Sequence, residues 1–146
     1  STVGMVDAMN RFIEQFPNIH LALSLHSARQ EVREKIMPVS KVQTLKKLRV
    51  VLENMPYRPM VEYLMLKGVN DGPEDLQALK DYLDGVDAHI NLIQFNPYVG
   101  ASFEPVSKEG RDAFGDALKE AGFKVTLRYS LGDDIAAACG QLAAGS

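Results

Sequence analysis

Residues 19–25 read IHLALSL, and three similar stretches follow at residues 61–66 (VEYLML), 90–95 (INLIQF) and 123–129 (FKVTLRY). The first three stretches are apolar at nearly every position rather than at alternate positions. Such near-continuous runs are typical of strands that are covered on both faces, as in parallel sheets. The sequence therefore predicts four strands, namely Ile19–Leu25, Val61–Leu66, Ile90–Phe95 and Phe123–Tyr129.

Helical patterns separate these strands. Apolar stripes with spacings of three and four residues begin at Met5, Val42, Leu76 and Phe114, and a last short helix is predicted from near Asp133. The predicted ends are Pro17 for the first helix, Pro56 for the second, and Ser107 and Gly122 as caps of the fourth. Helices that alternate with strands over short connections predict an α/β fold with a parallel sheet and right-handed crossovers.

Composition narrows the class of protein. The 146 residues suit one domain or part of a larger one, and a net charge of −3 excludes a strongly basic protein that binds nucleic acid through charge alone. The single cysteine, Cys139, excludes a disulfide framework within the chain and an all-cysteine metal site, and it is compatible with a reducing cytoplasm. The apolar runs fall far short of the roughly 20 residues that a membrane helix needs.

The start of the chain predicts a piece of a longer protein. The first residue is not Met, and the pattern begins on a helix with no strand before it. Residues 1–4 (STVG) are interpreted as the end of a preceding strand. A partial barrel exposes the edges of its sheet, so we expect this chain alone to be poorly stable or to self-associate.

Candidate site residues follow from the fold, because parallel α/β folds form ligand sites at the carboxyl ends of their strands. The residues that follow the four strands are small and polar: 24–27 (SLHS), 67–72 (KGVNDG), 96–98 (NPY) and 130–134 (SLGDD). Turns contain the same residue types for local reasons, so a site and a plain turn both remain open at each position.

Several single residues carry two interpretations. His26 is either a base or ligand, or a loop histidine that hydrogen-bonds to backbone, whereas His20 and His89 lie at the amino ends of their strands and are given no function. Asn70–Pro73 is a turn, and Asp133 with Asp134 suits a helix cap better than a metal site. Cys139 is either a small buried hydrophobe or, among alanines and glycine, an accessible thiol.

Four motifs together resemble a known family. They are Leu23–His26 (LSLH), Leu66–Asp71 (LKGVND), Asn91–Pro97 (NLIQFNP) and Gly132–Ala143 (GDDIAAACGQLA). In this order they resemble the C-terminal half of the RlmN/Cfr family. Its members are radical SAM enzymes that methylate an adenine ring carbon, C2 or C8, in ribosomal RNA and in some cases transfer RNA.

The resemblance implies a fold and a set of roles. The fold would be the later part of a partial, TIM-like (β/α)6 radical SAM barrel with a C-terminal strand–helix extension, spanning residues 1–146 and completed by a missing N-terminal half. The implied contacts to S-adenosylmethionine are made by Ser1, Ser24, Leu25, His26 and Asn96. Cys139 would carry the methyl group as a thioether, with a 4Fe-4S cluster and a second cysteine completing the reaction. The implied partner is ribosomal RNA, and for some members transfer RNA, in the cytoplasm.

The chain also departs from the family pattern. The cluster motif CxxxCxxC, the second cysteine, the glycine-rich GGGEP-type segment and the basic tail are absent from these residues, so one cysteine cannot ligate a 4Fe-4S cluster by itself. Leu131 stands where a basic residue is usual, and Gln94 where proline is usual. Two alternatives therefore stay open: a non-catalytic α/β partner-binding module or remnant, and a radical SAM enzyme with another acceptor.

Overall fold

The computed structural model describes residues 1–128, which form a four-stranded parallel sheet. Its strands are β1 (Ala22–Ser24), β2 (Met60–Met65), β3 (His89–Gln94) and β4 (Lys124–Arg128), and they lie side by side in chain order. All three pairings are parallel. The α/β class and the four strands are confirmed, although β1 is shorter than the predicted stretch. The bounds of β2 and β3 and the start of β4 each shift by one residue.

The described residues contain five α-helices, of which the first precedes β1 and the other four connect consecutive strands. They are α1 (Val6–Gln15), α2 (Gln30–Ile36), α3 (Leu45–Glu53), α4 (Pro73–Leu83) and α5 (Lys108–Glu120), with a 3₁₀ turn at Pro38–Lys41. The cap of α5 is confirmed, because Ser107 Oγ accepts the Gly110 N–H at 3.1 Å and Gly122 follows the helix at φ +94°. The predicted last helix near Asp133 lies outside the described residues.

Two helical predictions were wrong in detail. The second stripe does not begin at Val42, which is exposed; α3 begins at Leu45 after Thr44, whose side chain accepts the Lys47 N–H. Helix α2 was missed altogether. Its sequence, QEVREKI, is short and places a charged residue, Arg33, at a buried position, so no apolar stripe marks it.

The sheet has one apolar and one more polar face. Alternate strand residues point to opposite faces, and one set forms the core against apolar side chains of the helices. The core set from the strands is Leu23, Val61, Tyr63, Met65, Ile90 and Leu92. In the other set, Ser24, Glu62, Asn91 and Thr126 stand in one row across the four strands, since each is the register partner of the next. We call these four residues the polar row.

Residues 1–4 occupy a strand position beside β1, as predicted. Thr2 forms an isolated parallel bridge with Leu23. The Thr2 N–H donates to Ala22 O and the Ser24 N–H donates to Thr2 O, both at 2.8 Å. The segment therefore reaches the carboxyl end of β1, next to the candidate site. Among residues 1–128, no helix is long and apolar enough to cross a membrane.

Candidate ligand site at the strand ends

One residue of β2, Glu62, makes three hydrogen bonds to the end of β1 and the turn after it. Glu62 O accepts the N–H groups of both Leu25 and His26, at 3.0 and 3.2 Å, and Glu62 Oε2 accepts the Ser24 hydroxyl at 3.2 Å. The Leu25 side chain is fully buried in the core. We call residues 24–26 the predicted binding segment. Ser24 and His26 are its two side chains that lie outside the core, and a ligand contact by Leu25 stays a prediction.

His26 adopts an unusual backbone conformation that turns the chain at the strand end. Its φ is +59°, in the left-handed region, and its Nδ1 accepts the Leu64 N–H at 3.0 Å. Burial, with a smaller contribution from the Arg33 charge, lowers the pKa of His26 to about 4. The imidazole is thus neutral at pH 7 and carries its proton on Nε2. The bond to backbone is what the loop-histidine interpretation predicts, and it leaves Nε2–H as the donor for a ligand.

Arg33, on the helix that the sequence pattern missed, is buried beside this turn. Its guanidinium donates to Leu25 O at 2.9 Å, Val3 O at 2.9 Å and Ser24 O at 3.3 Å. It also donates to Ser40 Oγ at 2.7 Å. Burial lowers the pKa of Arg33 from its ordinary value, but an arginine stays charged in proteins. Arg33 therefore ties residues 1–4 to the end of β1, the two places where the resemblance implies cofactor contacts.

Asn70 does more than form the predicted turn. Its side chain is fully buried, and Nδ2 donates to His26 O and Leu64 O, both at 2.7 Å, while Oδ1 accepts the Leu66 N–H at 2.7 Å. The turn after β2 is thereby joined to the turn after β1. The turn itself was predictable from its Asn-Asp-Gly-Pro sequence, but these bonds follow only from the parallel pairing of the two strands.

Asn96 lies two residues beyond the end of β3 and is only 7% exposed. Its side chain makes no hydrogen bond with another residue in the described range 1–128. Buried amides are normally hydrogen-bonded. Because the amide of Asn96 has no such bond within residues 1–128, its donor and acceptor atoms are available to a ligand. Strand β2 separates Asn96 from Ser24 and His26. That the three side chains form one cluster stays a prediction.

The remaining sequence-predicted residues fall into three groups. Ser1 is exposed next to the Thr2 bridge. His20 stacks on Tyr57 with ring centroids 4.3 Å apart, and His89 is the first residue of β3, so both lie at the amino ends of the strands, as predicted. Cys139, with Leu131, Asp133 and Asp134, lies outside the described residues.

The residues present suit a small polar ligand better than a metal cluster. The Ser24 hydroxyl, the His26 Nε2–H and the Asn96 amide are hydrogen-bonding groups of the kind that a small ligand with hydroxyl and amino groups uses. Among residues 1–128 no group of three or more His, Cys, Asp or Glu side chains is placed to hold a metal ion. The described part of the chain therefore does not fit a 4Fe-4S cluster.

Comparison with solved structures defines the class of fold. The chain superposes on a domain of the pyruvate-formate lyase-activating enzyme from Bacteroides vulgatus with a TM-score of 0.67, at 20% identity, covering 86% of this chain and 76% of that one. This likeness concerns the fold alone. A radical SAM methyltransferase from Sphaerobacter thermophilus gives a TM-score of 0.90 at 33% identity, covering 96% of this chain and 42% of that one. The fold is thus an α/β sheet of the kind found in radical SAM enzymes.

The curated relatives that match this chain are named RNA methyltransferases. A probable RNA methyltransferase of Rhodopirellula baltica is 45% identical over 97% of this chain and 39% of that protein. The dual-specificity RNA methyltransferases RlmN of Campylobacter hominis and Paramagnetospirillum magneticum are 38% and 40% identical, each over 97% of this chain. No family model matches the chain.

The chain is homologous to the RlmN-type RNA methyltransferases, which confirms the resemblance carried by the four motifs. It spans 39%, 41% and 32% of the lengths of these three relatives, between a third and about two fifths.

Proposed function

We propose that this chain is the later part of a radical SAM enzyme that methylates RNA. The finer proposal is that the methyl group goes to a ring carbon of adenine, C2 in preference to C8, in ribosomal RNA, with transfer RNA as a second substrate. Identity of about 40% to RNA methyltransferases over nearly the whole chain is the observation that supports it best. We place the enzyme in the cytoplasm, where cysteine thiols stay reduced.

The described residues support this proposal through the ligand that they can hold. We assign binding of S-adenosylmethionine to Ser24, His26 and Asn96 at the strand ends, with Ser1 and the Leu25 backbone beside them. S-adenosylmethionine supplies the methyl group and the radical chemistry, while the protein binds, orients and excludes water. Neutral His26 donates through Nε2, and Ser24 offers the lone pairs of its oxygen. The ligands of the cluster are assigned to residues outside this chain, in the other part of the barrel.

Cys139 is assigned the role of methyl carrier. A ring C–H of adenine is not nucleophilic, so a direct polar transfer from the sulfonium is not available. The Cys139 thiolate can instead attack the sulfonium methyl carbon, so that a carbon–sulfur bond forms at Cys139 and S-adenosylhomocysteine leaves. This assignment rests on the GDDIAAACGQLA motif, since Cys139 lies outside the described residues.

Substitution of Cys139 tests the proposed function. We expect the complete protein to carry an extra methyl mass on Cys139 that reduction does not remove, because a thioether is not a disulfide. Cys139→Ala should unfold at nearly the same temperature as the wild type, since the change deletes one heavy atom and costs about 1 kcal/mol or less. Both Cys139→Ala and Cys139→Ser should lose formation of methyladenine in an RNA assay. A folded Cys139→Ala variant that still methylates adenine would refute this mechanism.

A non-catalytic partner-binding module is the second candidate. These 146 residues contain a single cysteine and therefore no CxxxCxxC motif, so the rest of the polypeptide decides between the two candidates. The two candidates differ in a simple way. A polypeptide that carries CxxxCxxC elsewhere supports the enzyme, and one that lacks the motif supports the module.

A further inference from the structure

A charged residue, Glu62, stands in the otherwise apolar run of β2. Glu62 interrupts the apolar stretch VEYLML, and its side chain is only 14% exposed. Glutamate is depleted in strands, and a carboxylate removed from water costs free energy unless it is paired. Its position in the polar row, opposite Ser24 on β1, suggests that its carboxylate serves the site rather than the sheet.

The contacts of Glu62 separate into two kinds. Its backbone oxygen accepts Leu25 N–H and His26 N–H, contacts that any residue at this position can make. Its carboxylate accepts the Ser24 hydroxyl at 3.2 Å on Oε2, and Oε1 lies 3.9 Å from the guanidinium of Arg128. The bond to Ser24 is therefore the contact through which the side chain itself reaches the predicted binding segment.

The chemistry of this bond fixes the polarity of Ser24. A serine hydroxyl has one proton and two lone pairs, whereas an ionised carboxylate only accepts. When the proton of Ser24 points to Glu62, Oγ can only accept from a ligand. Such an oxygen suits a ligand group that donates, such as a sugar hydroxyl or an amino group.

We propose that Glu62 is a positioning residue of the ligand site, which acts through Ser24 by holding its hydroxyl as an acceptor for a donor group of S-adenosylmethionine. This inference rests on the proposed function, because it takes S-adenosylmethionine as the molecule bound at Ser24. It adds Glu62 to the site as a residue that acts on the ligand through Ser24 and does not contact the ligand itself. A purely structural Glu62 would change stability without changing affinity.

A double-mutant cycle on the complete protein tests this role. Binding of S-adenosylmethionine and of S-adenosylhomocysteine is measured by isothermal titration calorimetry for the wild type, Ser24→Ala, Glu62→Leu, Glu62→Gln and the Ser24→Ala/Glu62→Leu pair. Glu53→Gln is the matched control, because Glu53 is an exposed carboxylate on α3. Thermal unfolding of each variant is followed in parallel, and Glu62→Thr, too short to reach Ser24, replaces any Leu variant that does not fold.

The expected pattern is non-additive. Glu62→Leu should raise the Kd about tenfold, the scale of one charge-assisted hydrogen bond, and Glu62→Gln should restore most of the affinity because its amide oxygen still accepts. In the Ser24→Ala background, Glu62→Leu should change the Kd by less than about twofold, since residues that act through one bond do not add. Glu53→Gln should bind as the wild type does.

Two results overturn the inference while the proposed function stands. One is an unchanged Kd in both Glu62→Leu and Glu62→Gln, which would make Glu62 purely structural. The other is additive losses in the pair, which would mean that Glu62 contacts the ligand directly. A folded wild type that binds neither compound overturns the proposed function as well, so the two failures are distinguishable.

Discussion

Replacement of Asn70 by alanine should destabilise the protein more than almost any other single change at the strand ends. The substitution removes three hydrogen bonds of 2.7 Å, to His26 O, Leu64 O and Leu66 N, from a site with no exposed surface. A buried group left without its partner costs about 1–3 kcal/mol. Because the two carbonyls retain a second lone pair, we expect a loss of roughly 3–5 kcal/mol in the free energy of unfolding.

That loss is a large part of the 5–15 kcal/mol or so that typically stabilises a domain. Urea unfolding followed by circular dichroism measures it directly. Asn54→Ala is the matched control, since Asn54 Nδ2 makes the same kind of bond, 2.7 Å to Val50 O, at an exposed position on the end of α3. The control should lose about 0.5 kcal/mol or less. Equal losses in the two variants would refute the argument that Asn70 joins the two turns.

Two further predictions concern His26 and the isolated chain. The folded pKa of His26 is about 4 and its ordinary value is 6.5, so the unfolded chain binds the proton more tightly and stability should fall as the pH is lowered from about 6.5 to 4. The part of this loss due to His26 is at most about 3 kcal/mol. The variant His26→Asn should make the unfolding free energy depend less on pH, and asparagine tolerates the left-handed backbone at this position. An unchanged dependence on pH in this variant would contradict the prediction. Residues 1–146 expressed alone should self-associate or unfold without a sharp transition, because in the described residues β4 pairs only with β3 and residues 1–4 leave an open edge. A monomer by light scattering with cooperative unfolding would contradict that prediction.

The strands and most helices were predictable because their causes are local. Apolar runs mark the strands, and Ser107 marks its helix start through a bond three residues away. The carboxyl-end placement of Ser24 and His26 follows from parallel pairing alone. These features can be predicted without knowing the tertiary contacts of the chain.

The other features depend on contacts between distant parts of the chain. Helix α2 was not predicted because Arg33, a charged residue, occupies its buried position. The hydrogen-bond acceptors of Arg33 include Val3 O and Ser24 O, which lie on other segments. The sequence predicted only a turn at Asn70 and assigned no role to Glu62. Their roles depend on the register of β1 against β2, which no local pattern contains.

The order of the strands bears on how the chain acquires its fold. Ala22 pairs with Met60, Met60 with His89, and His89 with Lys124, so that each strand docks on the one made just before it. Synthesis proceeds from the amino end at about 5–20 residues per second, so the earlier strands are available to pair before the later ones are made. Such a sheet can form during translation by adding one strand at a time, because each new strand pairs with a strand that has already been synthesised. Among Ser24, His26 and Asn96, the two residues at the end of β1 would then be placed first, and Asn96 would join them when β3 docks on β2.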